Sequence, residues 1–210
     1  MNLNTFFLDG GRLVLVRHGN ATKAAIDEDR QLSEKGVRQA AATRDYLASN
    51  HSVELIVTSI AQRAVNTVTD PRWGTPVQLP ELYLSPEGSE EGRIIDGTFA
   101  RLLYVPLTKY FAEPDVEDAL MQWANRATIS LEKIFAEREL NGGTVIIGGH
   151  AVLLNALAIA IAKKLNVLSE TSVALETALG EAECIEMELV EDDILHLRHL
   201  SAADLGHPAD

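Results

Sequence analysis

Leu13-Val14-Leu15-Val16-Arg17-His18-Gly19 is an apolar run that delivers a cation, an imidazole and a glycine together. Unbroken β-type residues read as a central strand buried on both faces, because a strand with one wet face would alternate. Open α/β sheets gather ligands at the carboxyl ends of their strands. A histidine placed there is positioned to attack phosphorus, and the arginine beside it to hold the phosphoryl oxygens. One tripeptide is a weak signal, so the rest of the chain has to supply its context.

That context begins with two more buried runs. Leu55-Ile56-Val57 leads into Thr58-Ser59, and Thr144-Val145-Ile146-Ile147 leads into Gly148-Gly149-His150. Between the first two runs, a helix is predicted from about Glu34 to Ser49, with Val37, Ala40, Ala41, Arg44, Leu47 and Ala48 on one stripe. A second helix is predicted from about Ala61 to Thr69, stopped by Pro71, and it carries Arg63. Val77-Gln78-Leu79, bracketed by prolines, reads as a short edge strand. The stretch Ala151 to Ala162 is too short to span a bilayer and reads as a buried helix. Alternation in Cys184–Leu189 and around Leu195-His196-Leu197, with Asp192-Asp193 between, predicts an antiparallel hairpin.

Strands alternating with helices indicate an α/β three-layer sandwich, helices on both faces of a mainly parallel sheet. With 210 residues the chain is read as a single domain over 1–210. Residues 84–140 interrupt the alternation and read as a helical insertion, or lid, covering the site. It opens with an acidic, turn-rich loop, Ser85 to Gly92. Helical patterns follow from about Thr98 to Tyr110, and a longer helix starts near Pro114 with Leu120, Trp123, Ala127, Leu131, Ile134 and Phe135 inward.

Composition narrows the function classes. Hydrophobic residues make up 46% and charged residues 23%, which is ordinary for a globular protein. The net charge of −13 repels polyanions, so neither nucleic acid nor an anionic membrane is an expected partner. An anion site must therefore be a local positive pocket in a negative field. The lone cysteine, Cys184, excludes an internal disulfide and a Cys-rich metal site, and reads as a buried core thiol. The first nine residues lack the basic segment and apolar length of a signal peptide, which sets a cytoplasmic location as the expectation. Trp73 and Trp123 read as packing; His51, His196, His199 and His207 have no supporting context and receive no role.

If the three buried strands are parallel neighbours, Arg17-His18-Gly19, Thr58-Ser59 with Arg63, and Gly149-His150 converge at one edge. Two arginines and two histidines would then meet where a helix N-terminus also offers N–H groups. Phosphoryl transfer needs such a set, because cationic donors stabilise charge spread over the equatorial oxygens. His18 is the candidate nucleophile, kept neutral by repulsion from Arg17 and Arg63. Gly19 allows close backbone approach to the phosphate, and Asn20 can donate to it.

The motifs, in order, resemble those of the histidine phosphatase superfamily, the phosphoglycerate mutase-like fold. Arg17-His18-Gly19 is similar to its Arg-His-Gly signature. Leu32-Ser33-Glu34-Lys35-Gly36-Val37-Arg38-Gln39-Ala40 resembles its Leu-Thr-x-x-Gly-x-x-Gln-Ala helix start. Thr58-Ser59-Ile60-Ala61-Gln62-Arg63-Ala64-Val65-Asn66-Thr67 resembles its Thr-Ser-x-x-x-Arg-Ala-x-x-Thr block, and Gly149-His150 its second-histidine position. The resemblance implies a covalent phosphohistidine on His18, with Arg17, Arg63 and His150 around the phosphoryl group and no metal or other cofactor. It also implies an acidic proton donor between the second arginine and the second histidine. Glu81, in Leu79-Pro80-Glu81-Leu82, is the nearest match by placement; Glu87, Glu90, Glu91 or no acid at all are the alternatives.

Two departures refine the match. Ile60 stands where many members have proline, and Asn20 where many have Glu or Gln. Asn20-Ala21 with Asp29-Arg30-Gln31-Leu32 looks more like the small bacterial phosphohistidine phosphatases than the mutases, although those lack so long an insertion. The expected activity is hydrolysis of a phosphomonoester or a phosphohistidine, on a small molecule or a phosphoprotein. A phosphoramidate would ease the need for an acid, because its leaving nitrogen can carry its own proton. The alternatives are a mutase, which would need further cations from Arg93, Arg101, Lys109 or Arg126, and a non-catalytic phosphate-binding protein.

Overall fold

The computed structural model describes residues 1–84, 88–169, 171–190 and 194–208. Its centre is β1 (Arg12–Arg17), flanked by β4 (Thr144–Gly149) in parallel and β6 (Cys184–Val190) antiparallel. Beyond β4 lie β2 (Val53–Thr58) and the edge strand β3 (Val77–Gln78), both parallel to it. On the other side β6 pairs with β7 (Ile194–Leu200), which carries the short β5 (Leu168–Ser169). The sheet thus runs β3-β2-β4-β1-β6-β7-β5, and only β6 opposes the others. The predicted hairpin is β6–β7; its turn, including Asp192-Asp193, lies outside the described residues.

The unbroken apolar runs are explained by two cores. Leu13, Leu15, Leu55, Val57, Val145 and Ile147 enter the larger one. It is completed by α1 (Leu3–Leu8), α6 (Val116–Ala136) and α7 (Ala151–Leu165). Val14, Val16, Ile56 and Ile146 point the other way, against Leu47 of α2 (Glu34–Asn50) and Val68 of α3 (Gln62–Val68). Period-two alternation of strand side chains sends each run into both layers. Helix α7 is buried almost throughout, and no described helix is long and apolar enough to cross a membrane.

Several expectations shift. The buried stripe of α2 is Gly36, Gln39, Ala40, Thr43 and Leu47, whereas Val37 is 53% exposed. The helix is turned because its first half covers a polar loop: the Gln39 side chain accepts the Asn20 N–H, and the Thr43 hydroxyl donates to the Ala182 carbonyl. In the insertion, the acidic stretch is already helical at Glu90. Ser89 caps α4 (Glu90–Leu102) by accepting the Gly92 N–H, and the following α5 (Leu107–Phe111) is a separate element. Helix α6 is part of the core rather than a cover, with Phe135 edge-on to Phe6 at 5.1 Å. Helix α1, which holds Leu3, Phe6 and Phe7 in the interior, has no counterpart in the sequence reading. Cys184 is fully buried as expected, and burial pushes its thiol pKa up.

Candidate active site

Strands β1, β2 and β4 end side by side, and the polar clusters after them meet. A chamber of about 330 Å³ opens there, lined among others by Arg17, His18, Arg63 and His150. Arg17 closes β1, Arg63 sits in the first turn of α3, and His150 caps α7 from the end of β4. Helix α7 has no side-chain cap, and its first residues Ala151, Val152 and Leu153 line the chamber. Its free N–H groups and dipole therefore favour an anion there.

His18 is the best-defined group. Its Nδ1 lies 2.7 Å from the Gly19 carbonyl, which can only accept, so Nδ1 carries the proton and Nε2 the lone pair. Burial, reinforced by Arg63 and Arg17 and opposed by that hydrogen bond, holds its pKa down to about 3. The imidazole is thus neutral at ordinary pH, but desolvation contributes more to this than the repulsion expected from sequence.

The arginines are buried, with 3% of Arg17 and 5% of Arg63 exposed, and the Nε of each is a buried donor without a protein acceptor. Buried donors are rarely left unpaired, so this pair is suited to a tetrahedral anion. Arg17 donates through Nη1 to the Leu179 carbonyl at 2.7 Å, and its Cζ sits over the Tyr104 ring, 4.0 Å from the ring centre. The loop that presents Tyr104 turns at Leu103, a non-glycine residue at φ 55° whose carbonyl accepts the Tyr110 hydroxyl at 2.6 Å. His150 receives Arg63 Nη2 at 3.5 Å on Nδ1, which leaves Nε2–H to donate to Ser59 Oγ at 3.0 Å. Burial, His18 and Arg63 push its pKa well below the usual value. The two imidazoles meet edge-on at 5.3 Å.

Three sequence candidates stand elsewhere. Glu81 does not line this chamber; it is exposed and accepts from Ser130 Oγ at 3.1 Å, beside a smaller pocket shared with Trp123 and Arg126. Asn20 donates to Glu181 at 2.7 Å and accepts from Ser33 at 2.6 Å, which occupies its amide in joining loop to helix. Gly19 is required by packing: a Cβ there would meet the Gly36 carbonyl at 2.9 Å, and one on Gly36 would meet the Asn20 carbonyl at 1.9 Å. Glu90 and Glu91 open α4, where Glu91 pairs with Arg126, and Glu87 lies outside the described residues. His199 and His207 bind Glu183 and Thr43, and His51 sits near Glu186, away from the chamber.

The chamber also holds groups that the sequence did not single out. Asp27 accepts twice from Arg63, on its backbone carbonyl at 2.5 Å and on Oδ2 at 2.7 Å. Arg30 and the Tyr83 hydroxyl also donate to its carboxylate. Burial pushes the Asp27 carboxyl up, but the hydrogen bond and charge of Arg63, with Arg30 and Tyr83, outweigh it and hold the pKa at about 2. Burial and then Asp27 push Tyr83 up to about 12. The only signal for Asp27 was its place in the polar segment that follows β1 at the ligand-binding edge. Among the described residues, no cluster of three or more His, Cys, Asp or Glu side chains could hold a metal ion.

Comparison with known proteins agrees with this architecture. Residues 13–83 match the model of the histidine phosphatase superfamily (branch 1). No curated protein sequence matches the chain. Among solved structures, a mycobacterial glucosyl-3-phosphoglycerate phosphatase in complex with VO3 superposes with a TM-score of 0.61 at 22% identity, over 90% of this chain and 96% of that one. A phosphoserine phosphatase variant from Entamoeba histolytica, in complex with phosphoserine, gives 0.58 at 13% identity, over 94% and 98%. A putative alpha-ribazole-5'-P phosphatase from Escherichia coli gives 0.56 at 16% identity, over 90% and 95%. At these identities the likeness is one of fold.

Proposed function

We propose that the chain, whose residues 13–83 match the histidine phosphatase superfamily (branch 1), is a phosphatase working through a covalent phospho-His18. The observation that carries this reading is the state of His18: neutral, with Nδ1–H committed to Gly19 and the Nε2 lone pair left for attack, beside two buried arginines. In the first step Nε2 forms the N–P bond while the bond from phosphorus to the leaving oxygen breaks, and that oxygen takes a proton. In the second step water attacks phosphorus, the N–P bond breaks, the water's proton goes to a base, and phosphate leaves. Arg17, Arg63 and the start of α7 stabilise the equatorial oxygens in both steps.

The proton carrier we assign is Asp27 in place of Glu81. It is the carboxylate in the chamber wall that touches Arg63, and Tyr83 fixes its orientation. As long as Arg63 holds it, Asp27 is ionised. A phosphoryl group that takes over Arg63 removes the interaction that keeps its pKa low, and the carboxyl can then bind and return a proton.

A mutase is disfavoured by the insertion's cations. Arg101 pairs with Glu113 at 2.9 Å and Arg126 with Glu91, and neither these nor Arg93 and Lys109 line the chamber. Steady-state hydrolysis of an aryl phosphate in EDTA, by the wild type and by His18→Ala, tests the proposal. Turnover that His18→Ala abolishes supports it; no turnover of any aryl, alkyl or histidine phosphate by the wild type refutes it.

A further inference from the structure

The chamber beyond the arginines is built for a different chemistry from its floor. Leu84, Ile95, Phe99 and Tyr104 give its lining an apolar side. Phe99 and Tyr104 meet edge-to-face at 5.3 Å, and Tyr104 also covers Arg17, so an aromatic surface adjoins the phosphoryl position directly. Among the described residues, the lining offers one cation beyond Arg17 and Arg63. That residue, Arg30, is engaged by the Asp27 carboxylate at 3.1 Å and the Thr22 carbonyl at 2.8 Å. Asp96, an exposed residue of α4, adds a carboxylate to the lining.

Resting on the phosphatase reading, we infer that the substrate is a monophosphate whose leaving group is a single apolar or aromatic ring, without a second anion. An apolar wall gains by covering a ring and gains nothing from a hydroxylated or carboxylated one, whose polar groups would lose water without finding partners. A carboxylate such as that of a phosphoglycerate would share the lining with Asp96, and the one remaining cation, Arg30, stays committed through Nε to the Thr22 carbonyl. A chamber of about 330 Å³ suits a phosphoryl group and one ring. A cationic substituent on the ring is compatible, since Asp96 would attract it.

The test separates this inference from the reading beneath it by measuring binding and turnover independently. Phenethylphosphonate, ethylphosphonate and carboxyethylphosphonate cannot be hydrolysed, and their Kd values are read by calorimetry on the wild type, Phe99→Ala and Asp96→Asn. The wild type is expected to bind the phenethyl compound at least about tenfold more tightly than the ethyl one, and the carboxyethyl compound more weakly than either. Phe99→Ala should narrow the phenethyl-to-ethyl ratio, and Asp96→Asn should strengthen carboxyethyl binding selectively. Ethyl or carboxyethyl binding as tight as phenethyl overturns the inference. The corresponding phosphate esters, whose alcohol leaving groups are similarly basic, report on turnover. The binding preference without hydrolysis of any ester would refute the phosphatase and leave the ligand class standing; hydrolysis without the preference would do the reverse.

Discussion

Asp27 and Arg63 hold each other through two contacts, carbonyl to Nη1 at 2.5 Å and Oδ2 to Nη2 at 2.7 Å, at the rim of the chamber. An internal carboxylate thus occupies the guanidinium to which the proposed mechanism assigns the phosphoryl group. Asp27 is half exposed whereas Arg63 is buried, so the acidic partner is the one free to swing away.

Asp27→Asn should therefore separate binding from turnover. Inorganic phosphate should bind severalfold more tightly, because it no longer competes with a carboxylate for Arg63. The kcat should fall by about 100-fold, the usual scale of a lost general acid or base. Glu81→Gln, at an exposed residue outside the chamber, should leave kcat within about twofold. Calorimetry with phosphate and steady-state kinetics on both variants check this, and the reverse ranking would return the role to Glu81.

His18 makes stability fall in mild acid. Its pKa is about 3 folded, against about 6.5 unfolded, so between these values the unfolded chain binds a proton that the folded one does not. Stability attributable to His18 is complete above the unfolded value and is lost as the pH falls below it, by at most about 1.4 kcal/mol per pH unit. The depressed pKa values of His150, His51 and His207 act in the same direction, so the His18 share is read as a difference. Urea midpoints near pH 7 and near pH 5 should drop more for the wild type than for His18→Gln. Equal drops would mean that His18 is protonated in the folded state.

Two glycines should respond in opposite directions to alanine. On Gly36 a Cβ would run into the Asn20 carbonyl at 1.9 Å, displacing the loop that carries Asp27, so Gly36→Ala should cost activity as well as stability. Gly97 lies mid-helix in α4 with nothing within 4 Å of a Cβ. Gly97→Ala should stabilise by about 0.5–1 kcal/mol through the helix preference alone. Thermal melts of the two variants decide both.

Groups that strand ends deliver were readable in the sequence. Arg17, His18 and His150 follow apolar runs directly, and a parallel sheet aligns such ends without further information. Arg63 was readable because only three residues separate it from Ser59, which puts it in the first turn of α3. Asp27, Tyr83 and Tyr104 were not, because loops bring them in along paths that no local periodicity encodes. The same limit explains Asn20 and Gly19, whose partners Glu181, Ser33 and Gly36 come from elsewhere in the chain. The buried stripe of α2 departs from its most hydrophobic one because this helix buries Gln39 and Thr43 to satisfy backbone groups of two loops.

Trapping the phosphoenzyme tests the central claim most directly. A substrate ester radiolabelled at phosphorus is mixed with enzyme and quenched into alkali during turnover, and protein-bound label is measured for the wild type and His18→Ala. Attack by His18 predicts label on the wild type that survives alkali and is lost in acid, as a P–N bond requires, and none on His18→Ala. Label on His18→Ala, or hydrolysis by that variant near the wild-type rate, would contradict it.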